Sequence, residues 1–155
     1  MSELEDGAAR VRTESLDVPG GTLAYDIRVA EGESGARILL LFASPMDASG
    51  FTTLAKHFQD RTVVTYDPRG VSRSTRADGA TWSTPDEHAD DVHRLISALD
   101  AGPVDIFASS GGAVNALALG RWWHALPDGL DTLLGPGGAG ASAGEAQLVA
   151  FARVF

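Results

Sequence analysis

Ser110 is the residue whose type and setting point most directly to chemistry. It stands in the run VDIFASSGGAVNALAL, residues 104–119, where a short apolar segment passes straight into a stretch with helical character. The local pattern Ala108-Ser109-Ser110-Gly111-Gly112 is G-x-S-x-G with alanine in the first glycine position. A serine on so sharp a strand-to-helix turn has its hydroxyl pushed outward, where a base can reach it. Its backbone lies at a helix N-terminus, whose unpaired N–H groups can stabilise an oxyanion. The chemistry implied is attack of the hydroxyl on an electrophilic carbonyl. A serine that merely caps a helix is the plain alternative, and two further segments weigh against it.

Those segments are Phe42-Ala43-Ser44-Pro45-Met46-Asp47 and Asp67-Pro68-Arg69-Gly70-Val71-Ser72-Arg73-Ser74. They follow the apolar runs of residues 37–42 (RILLLF) and 61–66 (RTVVTY), each of which reads as a strand covered on both faces. In a parallel α/β sheet the loops after successive strands emerge at the carboxyl edge, where ligands bind. Three segments far apart in sequence are therefore expected side by side. Within them Asp47 reads as a polar pocket residue or, at least as readily, as an Asx turn after Pro45, and the 67–74 loop as a structural turn tied down by Asp67 and Arg69.

The elements that would position these residues form a regular alternation. Residues 15–18 and 22–29, around Pro19-Gly20-Gly21, suggest an antiparallel hairpin at a sheet edge. A helix is expected over 50–58, with Phe51, Leu54, Ala55 and Phe58 at helical spacing, and a polar loop over 67–83. The next helix begins at Thr84 as N-cap, with Pro85 in the first position and Glu87 completing a capping box. Its apolar stripe is Val92, Leu95, Ile96 and Leu99, and Gly102-Pro103 closes it. A third buried strand over 104–108 leads to a helix over 111–125. Strand and helix in alternation mean parallel strands with right-handed crossovers: an α/β three-layer sandwich with a mostly parallel sheet and the hairpin at its edge. The expected division is a polar leader over 1–14, one domain over 15–134, and a Gly/Ala-rich tail over 135–155 with a short helix at its end.

Composition narrows the function classes. A net charge of -9 argues against a nucleic-acid or anionic-membrane surface. The absence of cysteine excludes disulfides, thiolate metal sites and thiol nucleophiles. The polar, acidic start lacks the apolar core of a signal peptide, and no apolar run reaches membrane-spanning length, so a cytoplasmic protein is expected. Neither G-x-G-x-x-G nor G-x-x-x-x-G-K-[ST] occurs, so a nucleotide-binding domain is disfavoured and no cofactor is expected. Glu87, His88 and Asp91 include an i,i+4 carboxylate pair, but with no further ligand cluster no metal is expected. Trp122-Trp123 reads as a helix end packed against an edge in preference to a patch that docks a partner or cap.

The three ordered motifs resemble the N-terminal part of an α/β-hydrolase fold enzyme of the small bacterial esterase, haloperoxidase-like and epoxide-hydrolase-like group. The resemblance runs from about Ser15 to Ala125. In that group the first core strand ends in His-Gly-x-Pro, where this chain has Phe42-Ala43-Ser44-Pro45. The next loop reads D-x-R-G-x-G-x-S, where Ser72 replaces the second glycine. The resemblance implies Ser110 as nucleophile, with the N–H groups of Gly111 and Ser44 as oxyanion donors. The substrate would be a small molecule with an ester- or amide-type carbonyl.

The serine needs an imidazole base, itself oriented by a carboxylate, and in this fold the chain order is Ser, then acid, then His. The four histidines are His57, His88, His93 and His124. His124 lies fourteen residues along the helix, ~21 Å from the serine at 1.5 Å per residue. No histidine follows Asp128 or Asp131. The expectation is a truncated, catalytically incomplete serine hydrolase that self-associates through an uncovered sheet edge. The alternative is a non-catalytic remnant or a small-molecule-binding α/β domain.

Overall fold

In the computed structural model, which describes residues 10–30, 32 and 35–120, six strands form one sheet. Strand β1 (Val11–Val18) turns through Pro19-Gly20 into β2 (Gly21–Arg28), with Gly20 at φ 78°. Strand β3 (Leu39–Ser44) leads through a 3-10 turn (Ala48–Phe51) into the short helix α1 (Thr52–Ala55). Then come β4 (Val63–Tyr66), β5 (Thr75–Arg76), helix α2 (Pro85–Leu99), β6 (Asp105–Ser110) and helix α3 (Gly111–Gly120). The strand order is β1-β2-β4-β3-β6, with β5 paired to β2.

The sheet is mixed. Strand β3 runs parallel to both β4 and β6, whereas β2 is antiparallel to β1, β4 and β5. The parallel trio supplies the carboxyl edge, and the hairpin closes the other side, as the expected α/β sandwich requires. The period of a strand distributes β3 between two cores. Leu40 and Phe42 join Tyr25, Val64 and Tyr66 beneath Val92 and Leu95 of α2 and Ala116 of α3. Leu39, Leu41 and Ala43 pack on the opposite face against Phe51 and Ala55. Two clusters on two faces make the three layers.

Several boundaries differ from the sequence reading. Strand β1 starts at Val11, so residues 11–14, expected to end a polar leader, are paired with β2. Polar cross-strand bonds hold this exposed stretch: Thr13 Oγ1 donates to Asp26 Oδ1 at 2.6 Å and Tyr25 Oη to Glu14 Oε2 at 2.8 Å. The helix expected over 50–58 shrinks to the 3-10 turn and α1, where Gly50 and two β-branched threonines disfavour a longer helix. The expected loop 67–83 contains β5, whose Thr75 Oγ1 accepts from the Thr22 N–H. Strand β6 extends through both serines, because its ladder with β3 continues to the Ser44–Ser110 pair. Helix 111–125 is described to Gly120; the expected elements beyond it, with His124 and Trp122-Trp123, lie outside the described residues. No helix among the described residues is long and apolar enough to cross a membrane.

Helix α2 follows its start signals closely. Thr84 is extended, and its Oγ1 accepts from the Glu87 N–H at 3.1 Å. The capping box is only half made, since the Glu87 carboxylate turns to Arg76 instead. The helix stops at Asp100, which takes the left-handed conformation at φ 45°. Thr84→Ala should therefore lower unfolding free energy by about 1 kcal/mol in chemical denaturation.

Candidate active site

Ser110 ends β6 with φ 56°, a left-handed conformation that costs a non-glycine residue energy and is held only by its surroundings. The next residue begins α3, so strand becomes helix with no intervening loop. The glycines that follow allow close approach rather than unusual dihedrals. A Cβ on Gly111 would stand 2.9 Å from the Ser44 carbonyl oxygen, and one on Gly112 2.8 Å from Ala43 Cα. Ala108 takes the first glycine position without strain, because there the chain is ordinary strand paired with Phe42, and its methyl is buried in the α2–α3 cluster. The structure thus brings Ser44, Ser110 and Gly111 together at one point of the carboxyl edge. The Gly111 N–H is among the helix's first donors, which have no partner within the helix.

The two companion loops frame this point. After β3 comes a cis Ser44–Pro45 bond, and Asp47 then caps the 3-10 turn by accepting from Ser49 N–H at 3.0 Å and Ser49 Oγ at 2.5 Å. The Ser49 hydrogen bonds hold the Asp47 carboxyl below its ordinary range. The expected Asx turn is present and also caps the 3-10 turn.

The 67–74 loop is a charge-built frame. Buried Asp67 accepts from the Ala48 N–H at 2.9 Å, from the Arg73 N–H at 3.1 Å and from Arg73 Nε at 2.7 Å. Burial alone would raise its pKa, but the Arg73 and backbone hydrogen bonds hold it below the usual carboxylate range. Arg73 also forks onto Asp26 at 2.9 and 3.0 Å. Ser74 Oγ donates to the Asp67 carbonyl and accepts from the Ala24 N–H, joining the loop to β2. Arg69 grips Asp91 of α2 through Nε and Nη2 and donates from Nη1 to the Pro19 carbonyl. Glu87 and Asp91 are thus both engaged by arginines. Ser72, standing where the family pattern has glycine, adopts φ 49°.

Beside Ser44 opens a cavity of about 770 Å³, walled by Pro45, the 68–71 turn, β5, residues 80–83 and His88. Sequence reasoning placed His88 beside two carboxylates and among the four histidines, but gave it no role in a site. The signal that could have revealed it is its place one turn into a helix that begins at the carboxyl edge. Its imidazole is buried and its Nδ1 has no hydrogen-bond partner. Burial pushes the imidazole below its ordinary pKa of 6.5, against the pull of Asp91 and Glu87. His57 and His93 are exposed to solvent. Among the described residues no imidazole hydrogen-bonds to Ser110.

The architecture and the strand-to-helix serine turn define this as an α/β-hydrolase fold. No family model matches the chain. It is 41% identical over 106 residues to the uncharacterized hydrolase YraK of Bacillus subtilis (strain 168), an alignment covering 68% of this chain and 38% of that protein. Among solved structures it superposes on a proline iminopeptidase of Mycobacterium smegmatis with a TM-score of 0.65 and 19% identity, covering 76% of this chain and 41% of that one. A putative epoxide hydrolase of Pseudomonas aeruginosa gives 0.60 and 19%, covering 77% and 38%. The chain thus spans about two fifths of the proteins it matches, and what it carries of the fold runs from the first hairpin through the serine turn.

Two outcomes follow for the frame. Asp91→Asn leaves Arg69 buried without its full counter-charge and should cost about 3 kcal/mol in urea denaturation. Because His88 is held neutral, the unfolded chain takes up its proton more readily than the folded one below pH 6.5. Stability should then be at its full value above pH 6.5 and fall as pH drops below it, until the depressed folded pKa is passed. Thermal melts from pH 7.5 to 5.5 should show this slope, and His88→Leu should flatten it.

Proposed function

We propose that the chain carries the nucleophile and oxyanion donors of a serine hydrolase acting on an ester- or amide-type carbonyl of a small molecule. The observation that supports this most is the left-handed Ser110 at the strand–helix junction, set beside Ser44 in the β3–β6 ladder. The Ser110 hydroxyl oxygen forms a bond to the carbonyl carbon and gives up its proton to a base. The carbonyl oxygen, now negative, receives hydrogen bonds from the Gly111 and Ser44 N–H groups. Collapse of this intermediate breaks the bond to the leaving group, which takes a proton. Water then releases the acyl group and restores Ser110.

The described residues supply the attack and the oxyanion site without an imidazole on Ser110, so we propose slow turnover for this chain. Residual catalysis in triads that have lost a member is about three to four decades above water. A second reading, a small-molecule-binding domain without hydrolase activity, draws on the cavity beside Ser44. The two separate in one assay: hydrolysis of p-nitrophenyl acetate by the 155-residue chain and by Ser110→Ala. Weak hydrolysis that Ser110→Ala removes supports the nucleophile. Equal rates for both proteins would falsify it and leave the binding domain. Rapid Ser110-dependent turnover would instead overturn the incomplete mechanism and require a base acting on this serine.

A further inference from the structure

We propose that the cavity beside Ser44 is a binding subsite for an uncharged aromatic group, such as an aryl alcohol or the aryl part of an ester. Its role within a substrate site rests on the hydrolase reading above; the binding itself does not.

The volume, about 770 Å³, is that of a small-molecule site. Its position is set by the fold: Ser44 forms part of its wall and pairs in register with Ser110, so a ligand here lies one strand from the reacting centre. The wall contains two arginines, yet neither offers its charge to a ligand. Arg69 is held by Asp91 and the Pro19 carbonyl, and Arg76 by Asp78, Glu87 and Ser83. Three carboxylates against two guanidiniums leave no excess positive charge for an anion, and burying an unpaired charge is costly.

The apolar part of the wall is Pro45, Val71 and Trp82. Trp82 is 71% exposed, a large indole face with little of its surface covered by the fold. An aromatic ring is the group that gains most from such a face, through stacking or edge contact as well as burial. The polar part is made by hydroxyl residues, Ser44, Ser74 and Ser83 among them, with His88 alongside them in the wall.

The test is direct binding, followed by NMR on uniformly 15N-labelled Ser110→Ala protein so that no turnover intervenes. The Trp82 indole N–H is assigned by its disappearance in Trp82→Ala. Benzyl alcohol should shift that resonance and the Gly70 amide saturably. Benzoate should bind about tenfold more weakly for want of a free cation, and cyclohexylmethanol about tenfold more weakly for want of a ring. Trp82→Ala, a change at an exposed site that spares the fold, should weaken benzyl alcohol binding to a similar degree when read at Gly70. Equal affinity for benzoate, no saturable shift, or unaltered binding in Trp82→Ala overturns the proposal. Failure here with Ser110-dependent ester hydrolysis intact removes the subsite and leaves the nucleophile; binding without hydrolysis does the reverse.

Discussion

The close approach of the first turn of α3 to the end of β3 is the constraint on which the site depends. Gly112 meets Ala43 at a distance where a methyl group would stand 2.8 Å from the Ala43 Cα, and Gly111 meets the Ser44 carbonyl at 2.9 Å by the same measure. To begin a helix that close to a neighbouring strand, the chain must reverse within one residue, and that residue is Ser110 at φ 56°. The strain at Ser110 and the bare glycines after it are thus two sides of one contact. The same contact puts the unpaired N–H of a helix start beside the last residue of a parallel strand, an arrangement suited to a developing negative charge.

Holding that edge requires the loops on either side to keep their shape, and charge pairs rather than apolar burial do so. Asp67, Arg73 and Asp26 tie the loop after β4 to β2, and Arg69 with Asp91 ties it to α2. Of these, the partly exposed Arg73–Asp26 pair contributes little to stability. The Arg69–Asp91 pair is different, because both side chains are almost fully buried and each would be left uncompensated without the other. Its value is geometric: a bidentate fork fixes the direction as well as the distance between loop and helix. The wall of the cavity beside Ser44 inherits that rigidity.

How much was legible in the sequence follows from which forces leave a local trace. The runs at 37–42 and 61–66 announced buried strands because both faces of β3 and β4 are covered, and Thr84-Pro85 announced α2 because capping is a contact between near neighbours. The serine turn and its companion loops were readable as ordered motifs. What escaped depends on long-range pairing. Strand β5 exists because Thr75 and Arg76 meet Gly21 and Thr22, more than fifty residues away. The first residues of β1 after Val11 are polar and largely exposed, and pair only because β2 offers a full-length partner. Glu87 left its expected cap for Arg76, a competitor eleven residues upstream. His88 carried no motif at all, and its burial comes from packing on elements that its own sequence neighbourhood does not reveal.

The departures from the family pattern can be read in the same terms. Where the resemblance expects His-Gly at the end of the first core strand, this chain has Phe42-Ala43. Strand alternation sends the two side chains to opposite faces. Phe42 enters the α2–α3 core with its ring 5.6 Å from that of Tyr66, and the Ala43 methyl enters the α1 core. Ala43 therefore directs its methyl away from α3, and the close approach to its Cα is made by Gly112, which has no methyl to give. Phe42 brings no hydrogen-bonding group to the loop that follows. That loop is instead fastened by Asp67, which accepts from the Ala48 N–H, and by its own Asp47, which caps the 3-10 turn. The apolar exchange at Phe42 thus leaves the backbone around Ser44 in place through contacts that neither substituted residue makes.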